Sequence, residues 1–345
     1  MLIKNKQTDE KQIVSRPVIG LSVIILGLFV LVICLVFAIS VGAANIDFAT
    51  VWNSIFHYNE NGKTDQVIVG IRLPRELGVV LVGAALAVSG AIMQGITRNP
   101  LAEPGLLGIN AGAGFALACL LAFQAHSSYV MTMFATFLGA GLGAGMVFGI
   151  SSIKRGGLSP LRVILAGAAV MYLLTALADG VALVFQLTQD LSIWKIGSTS
   201  GTNWMQLRLA VPVVIIGILI AIVFSKKLTI LSFGEDIAKG LGERTTLIKV
   251  VLMAVVLVLA GISVSLVGAL AFVGLMVPHM VRFLVGTDYR WIIPCSAVFG
   301  SILLVLSDTA ARMINAPFET PIGAIVAIVG IPFFLYLARR EGRRQ

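Results

Sequence analysis

SKKLTILSFGEDIAKGLGERTTLIK, residues 225–249, lies between two long apolar runs, so it must sit in water while its neighbours sit in lipid. Lys226, Lys227, Lys239, Arg244 and Lys249 place it on the cytoplasmic side, where positive charge concentrates. Ile230, Phe233, Ile237 and Leu241 recur at helical spacing, opposed by Glu235, Asp236 and Lys239, and Gly234, Gly240 and Gly242 interrupt the pattern. The segment therefore predicts a pair of short amphipathic helices with a glycine elbow, lying along the membrane face.

Outward from the elbow the chain is apolar almost throughout. Its 345 residues are 58% hydrophobic and 12% charged, with a mean hydropathy of +1.00, more apolar material than one soluble core could bury. The expected class is an all-α polytopic membrane protein forming a single transmembrane domain over 1–345. At about 20 residues per span, about ten helices fall at 19–41, 73–94, 106–124, 129–151, 161–185, 209–225, 247–267, 269–286, 291–307 and 320–338. Lys4, Lys6, Lys11 and Arg16 precede the first run, which is too long for a signal peptide and lacks a small-residue cleavage pattern. It is read as a retained first helix. With both termini inside, about 19 of the 25 Lys and Arg fall on cytoplasmic segments and about 6 outside, the asymmetry of a correct orientation. The tails 1–18 and 339–345 and the loop 225–249 are then cytoplasmic.

The net charge of +9 is dispersed among loops, which topology explains better than a nucleic-acid partner. Cys34, Cys119 and Cys295 lie inside apolar runs without paired spacing and read as packing residues. His57, His126 and His279 are scattered, so neither a metal site nor a cofactor is expected. Neither G-x-G-x-x-G after a strand nor G-x-x-x-x-G-K-[ST] occurs, so any ATP is bound by another chain. An ion-coupled transporter would need ionisable residues near the bilayer midplane. Asp179 is the one acid placed well inside an apolar run, either hydrogen-bonded near the headgroups or lining a pathway.

Other features are local. Trp52, Phe56 and Tyr58 predict an interfacial helix within 42–70. Pro74 suits a first helical turn, and Arg72 and Arg75, three apart, face the same way. Gly83, Ala84, Ala87, Ser89, Gly90 and Gly95 let the second helix approach its neighbours closely, and TRNPLAEPGLLGINAGAG after it reads as an irregular re-entry. Gly141, Gly145 and Gly149 form a ladder that predicts helix packing. Pro278 should kink the eighth helix, and Asp308 stands one turn before Arg312.

Several motifs occur together in order: 71–114, IRLPRELGVVLVGAALAVSGAIMQGITRNPLAEPGLLGINAGAG; LRVILAG; WKIGS ahead of Trp204; GEDIAKGLG; GALAFVGLMVPHMVRFLVG; and SDTAAR followed by PIGAIVAIVGIPFFLYL. From about residue 20 to the end the chain resembles the FecCD-type, BtuC-like permeases of iron-siderophore and vitamin B12 ABC importers. The resemblance implies a type II ABC importer permease of ten helices in the bacterial cytoplasmic membrane, with no catalytic residues of its own. It implies a pair of permeases, the second a copy or a paralogue, resting on two ATPase subunits, with an extracytoplasmic substrate-binding protein docking outside. The implied cargo is an iron chelate, a ferric siderophore first, with cobalamin or haem as alternatives. Carried onto this sequence, the docking arginines are Arg72, Arg75 and Arg312, and the coupling residues are Gly234, Glu235, Asp236, Gly240 and Gly242. Asn99 and Leu101 are the gate candidates. GGLSPLR departs from the hydroxyl-rich second gate of some relatives at Pro160, so no gate role is carried onto it.

Overall fold

A computed structural model of the chain describes residues 15–42, 46–124, 127–152, 160–316 and 318–342. Most of the N-terminal tail 1–18, the last three residues of the tail 339–345 and most of GGLSPLR lie outside these residues.

Every regular element described is a helix: α1 Pro17–Ser40, α2 Phe48–Phe56, α3 Lys63–Val67, α4 Leu73–Thr97, α5 Ile109–Phe123, α6 Tyr129–Ser152, α7 Pro160–Val184, α8 Thr188–Ile196, α9 Trp204–Phe233, α10 Glu235–Gly240, α11 Thr245–Val267, α12 Val273–Val285, α13 Tyr289–Ile314 and α14 Ile322–Gly342. Eight stretches are long and apolar enough to cross a membrane, with α3 and α4 joined into Lys63–Thr97, and α5 and α12 are shorter apolar helices. Together they account for the ten expected spans. The two short ones begin late because irregular chain precedes each of them. Arg98 and Gly108 take left-handed backbone before α5, and Gly268 and Phe272 do so before α12. Such backbone survives at membrane depth only where protein covers it.

α4 is the hub, packed on α13, α11, α9 and α12. Its small residues permit this: a Cβ on Gly83 would stand 2.3 Å from the Gly300 carbonyl oxygen of α13, and one on Gly90 1.8 Å from that of Gly274 in α12. The same neighbours fix direction. Gly83 meets Gly300 and Gly95 meets Tyr289, so α4 and α13 are antiparallel, whereas Gly20 against Trp291 and Gly27 against Val298 make α1 parallel to α13. α13 begins beside the end of α9, where Thr229 Oγ1 accepts the Tyr289 N–H at 3.0 Å, and finishes at Asp308 and Arg312. The bundle thus has an elbow end and an arginine end. α1 starts, and α14 finishes, at the elbow end.

Three expectations need correction. The first of the two short elbow helices is the continuation of α9, which runs 30 residues before Gly234 breaks it. Ser225, Lys226 and Lys227 read as the end of a span, but Leu228, Thr229 and Leu231 just beyond them are buried. At 1.5 Å per residue α9 is about 45 Å long, longer than a hydrocarbon core of about 30 Å. Helical chain also begins ahead of Pro74. Pro74 has no N–H for the Gly70 carbonyl, and one wide turn over Ile68–Arg72, in which the Leu73 N–H reaches Ile68 O, absorbs the loss. Finally, a Cβ at Gly141, Gly145 or Gly149 would meet nothing within 4 Å. Gly139 and Gly143 make the contact instead, their added Cβ atoms 2.4 Å from Gly112 O and 2.3 Å from Gly108 O. An offset of two residues is about 200° around a helix of 3.6 residues per turn, so the visible ladder lies on the opposite face.

Candidate functional site

At the arginine end, side chains from four parts of the chain meet in a charge cluster. Arg75, in the first turn of α4, is 9% exposed and donates to Asp308 Oδ1 through Nη2 at 3.0 Å and Nε at 3.4 Å. Its Nη1 donates to Glu319 Oε1 at 2.5 Å. Arg312, 8% exposed, donates from Nε to Asp308 Oδ2 at 3.0 Å, the contact its spacing predicts, and from Nη1 to Val41 O at 3.0 Å. Its Nη2 pairs with Glu76, whose side chain is wholly buried, as is that of Asp308. Thr199, in the loop after α8, donates its hydroxyl to Asp308 Oδ1. Arg72 Nη1 donates to Ile39 O at 2.6 Å. A Cβ on Gly42 would lie 3.4 Å from Arg72 Nη2 and 3.6 Å from Arg312 Nη1, so all three arginines converge.

These arginines do not stand bare. Arg75 and Arg312 belong to a largely buried network whose three carboxylates, Glu76, Asp308 and the half-exposed Glu319, are in the same chain. Sequence reading named Asp308 beside Arg312 and missed Glu76, Glu319 and Thr199. Glu76 carried a signal, an acid one turn after Arg72 on the same helix.

At the elbow end, Gly234 and Gly242 have φ of +151° and +79°, which L side chains rarely adopt, and they bracket α10. Glu235 opens that helix, paired with Lys249 and, at 3.2 Å, with Lys239. The hydrogen bond from Lys249, against the opposing effect of partial burial and helped by Lys239, holds its carboxyl down at about 2. Ala238 is buried, and Asp236 and Gly240 are exposed. Ile237 and Leu241, one turn apart on the outward face, are 54% and 67% exposed. Apolar side chains projecting from a polar elbow are what a docking helix presents.

A cleft of about 220 Å³ joins the elbow to the re-entry after α4, with Asn99, Arg98 and Thr97 on one side and Glu235 and Lys249 on the other. Asn99 Oδ1 also accepts the Leu101 N–H at 2.9 Å, shaping the turn, and Leu101 itself is not in that lining. Asp179, near the arginine end of α7, pairs with Lys195 of α8 at 2.5 Å and is largely exposed. His279 lies edge-on between Phe283 and Phe333. Among the described residues no group of His, Cys, Asp and Glu could hold a metal.

The profile of the FecCD transport family matches residues 30–340. The iron(3+)-hydroxamate import system permease protein FhuB of Bacillus subtilis is 48% identical over 342 residues, covering 99% of this chain and 89% of that protein. The hemin transport system permease protein HmuU of Yersinia pestis is 35% identical, covering 92% of this chain and 95% of that one. A metal-chelate type ABC transporter solved in an inward-facing conformation superposes with a TM-score of 0.80 at 28% identity, over 92% of this chain and 99% of its own. The chain belongs to the FecCD transport family.

Proposed function

We propose that this chain is the membrane-spanning subunit of an ATP-driven importer that brings an iron chelate across the bacterial cytoplasmic membrane. It performs no chemistry itself. Two permeases, identical or paralogous, rest on two ATPase subunits, and an extracytoplasmic binding protein delivers cargo to the arginine end. The elbow end and both termini face the cytoplasm, in line with the crowding of lysine and arginine there. The observation that carries the reading is the elbow: Ile237 and Leu241 point away from the bundle, while Glu235 shares a cleft with Asn99. Closure of the ATPases on ATP would push α10 as a rigid body, and the bundle would alternate between its two openings.

For the cargo, a 48% identical relative named for iron(3+)-hydroxamate supports a ferric hydroxamate ahead of hemin, for which the named relative is 35% identical. Arg72, Arg75 and Arg312 are the proposed docking residues, Gly234, Glu235, Asp236, Gly240 and Gly242 the coupling residues, and Asn99 and Leu101 gate residues. Asp179 would stand at the mouth of the pathway.

The test is uptake of ferric hydroxamate into vesicles carrying the purified chain, with and without ATPase subunits and binding protein. Uptake should require both partners and internal ATP. Uptake by the chain alone, driven by an ion gradient, would overturn the proposal.

A further inference from the structure

The guanidiniums of Arg75 and Arg312 already have acid partners within the chain. Three guanidiniums, Arg72, Arg75 and Arg312, meet three carboxylates, Glu76, Asp308 and Glu319. A docking partner that brings a further carboxylate to these guanidiniums must compete with one of the three for its place. The geometry says which one can leave. Asp308 and Glu76 are wholly buried, and Asp308 is held at once by Arg75, Arg312 and Thr199. Removing either would strand a buried charge. Glu319 is different: its side chain is 46% exposed and its one charged contact among the described residues is Arg75 Nη1. Its end of the pair stays in contact with water, so its departure strands no buried acid, and Asp308 still holds the Arg75 guanidinium.

Glu319 also sits where its release would be felt. Three residues later α14 begins, and a Cβ on its Gly323 would stand 2.0 Å from the Ile196 carbonyl oxygen at the end of α8. Thr199, three residues beyond that carbonyl, is the residue hydrogen-bonded to Asp308. The starts and ends of α14 and α8 are therefore tied to the same cluster, α14 by its exchangeable member and α8 by a fixed one.

We infer that Glu319 occupies, on Arg75, the place of a carboxylate carried by the docking binding protein, and that docking proceeds by exchange of the internal acid for the external one. This rests on the docking reading of the previous section. The exchange keeps Arg75 paired and the net charge of the cluster unchanged, and frees the segment leading into α14.

The experiment measures affinity, by surface plasmon resonance on the detergent-solubilised complex, for the iron-chelate binding protein that supports uptake by the wild type. Glu319→Gln removes the competing charge, and docking should tighten about fivefold at low salt, with the gain shrinking as salt rises. Glu319→Asp, too short to span the same distance, should shift affinity in the same direction. Glu60→Gln removes an equal charge from an exposed loop outside the cluster and should leave affinity unchanged. Unchanged or weaker docking by a Glu319→Gln complex of normal thermal stability overturns the inference, as does equal tightening in Glu60→Gln. A wild-type complex that supports uptake yet shows no salt-sensitive docking removes the docking reading itself, and this inference with it.

Discussion

Gln94 Nε2 donates to the carbonyl oxygen of Gly274 at 3.1 Å, and that carbonyl is the one Pro278 leaves without a helical partner. In a regular helix the N–H of residue 278 would serve residue 274, and proline has none. Gln94 reaches from α4 to supply it, and donates equally to Leu275 O at 3.1 Å. Glu103, in the re-entry, completes the attachment by accepting the Phe272 N–H at 2.6 Å just before α12. The broken helix is thus held at its start by α4 and the segment after it. Gln94→Leu keeps the volume and abandons a buried acceptor, at a cost of about 1–3 kcal/mol. Thermal unfolding in detergent should fall accordingly, and a variant as stable as wild type would show that the Gly274 carbonyl finds another donor.

Close packing around α4 makes a second, positional prediction. Gly83→Ala drives a methyl group into backbone of α13, which cannot swing aside as a side chain would. Overpacking of this kind costs about 1–3 kcal/mol. Gly141→Ala faces open space and should be silent. Size-exclusion profiles and melting temperatures of the two variants, which sequence alone ranks as equals, should separate them clearly.

That contrast marks where the sequence was readable. Apolar runs of membrane length, the irregular chain after α4, the short helix α2 within 42–70 and the Asp308–Arg312 turn were all legible, because each is a local pattern. What was not legible depends on partners far along the chain. Glu76 follows Arg75 in sequence, but its partner Arg312 is 236 residues away. Thr199 is one hydroxyl among several in STSGT until Asp308 meets it. The extension of α9 was hidden for the same reason. Lys226 and Lys227 look like an ending, while Leu228 packs beneath Gly95 of α4 and carries the helix on.

The exposed elbow stripe gives a third prediction. Ile237→Asp and Leu241→Glu change side chains that make little contact with the rest of the chain. The melting temperature should hold, while recovery of the ATPase subunits in a detergent pull-down should drop by tenfold or more, since about 1.4 kcal/mol of lost contact is a factor of ten. Full recovery with both substitutions present would place the ATPase contact elsewhere.

Glu235 supplies a pH prediction with a definite sign. Its folded pKa, about 2, lies below the ordinary 4.5, so the stabilisation it lends the elbow is complete above pH 4.5 and is lost as pH falls from there toward 2. Hydrogen exchange of residues 235–249, corrected for its intrinsic pH dependence, should be flat from pH 7 to 5 and rise below that. In Lys249→Met the carboxyl loses its strongest partner, so exchange should already be faster at neutral pH and should rise less below pH 5. Coincident profiles would mean that Lys239 alone holds Glu235.

Two acids of the arginine end, Asp308 and Asp179, allow burial itself to be tested. Asp308→Asn keeps the shape of a side chain that accepts from Arg75, Arg312 and Thr199 but removes its charge. Two guanidiniums less than a tenth exposed are then left with one carboxylate each, Glu319 for Arg75 and Glu76 for Arg312. Breaking a buried pair from one side costs about 3–5 kcal/mol, enough to lower the melting temperature of the detergent-solubilised chain by many degrees. Lys195→Met breaks the Asp179 pair, where both partners keep contact with water, and an exposed pair contributes about 0–1 kcal/mol. Its melting temperature should stay near that of the wild type even if uptake falls. If the two variants melted together, the cluster's burial would have no energetic consequence. Asp308 would then be one more surface acid, and the rigidity that makes Glu319 the exchangeable partner would have no foundation.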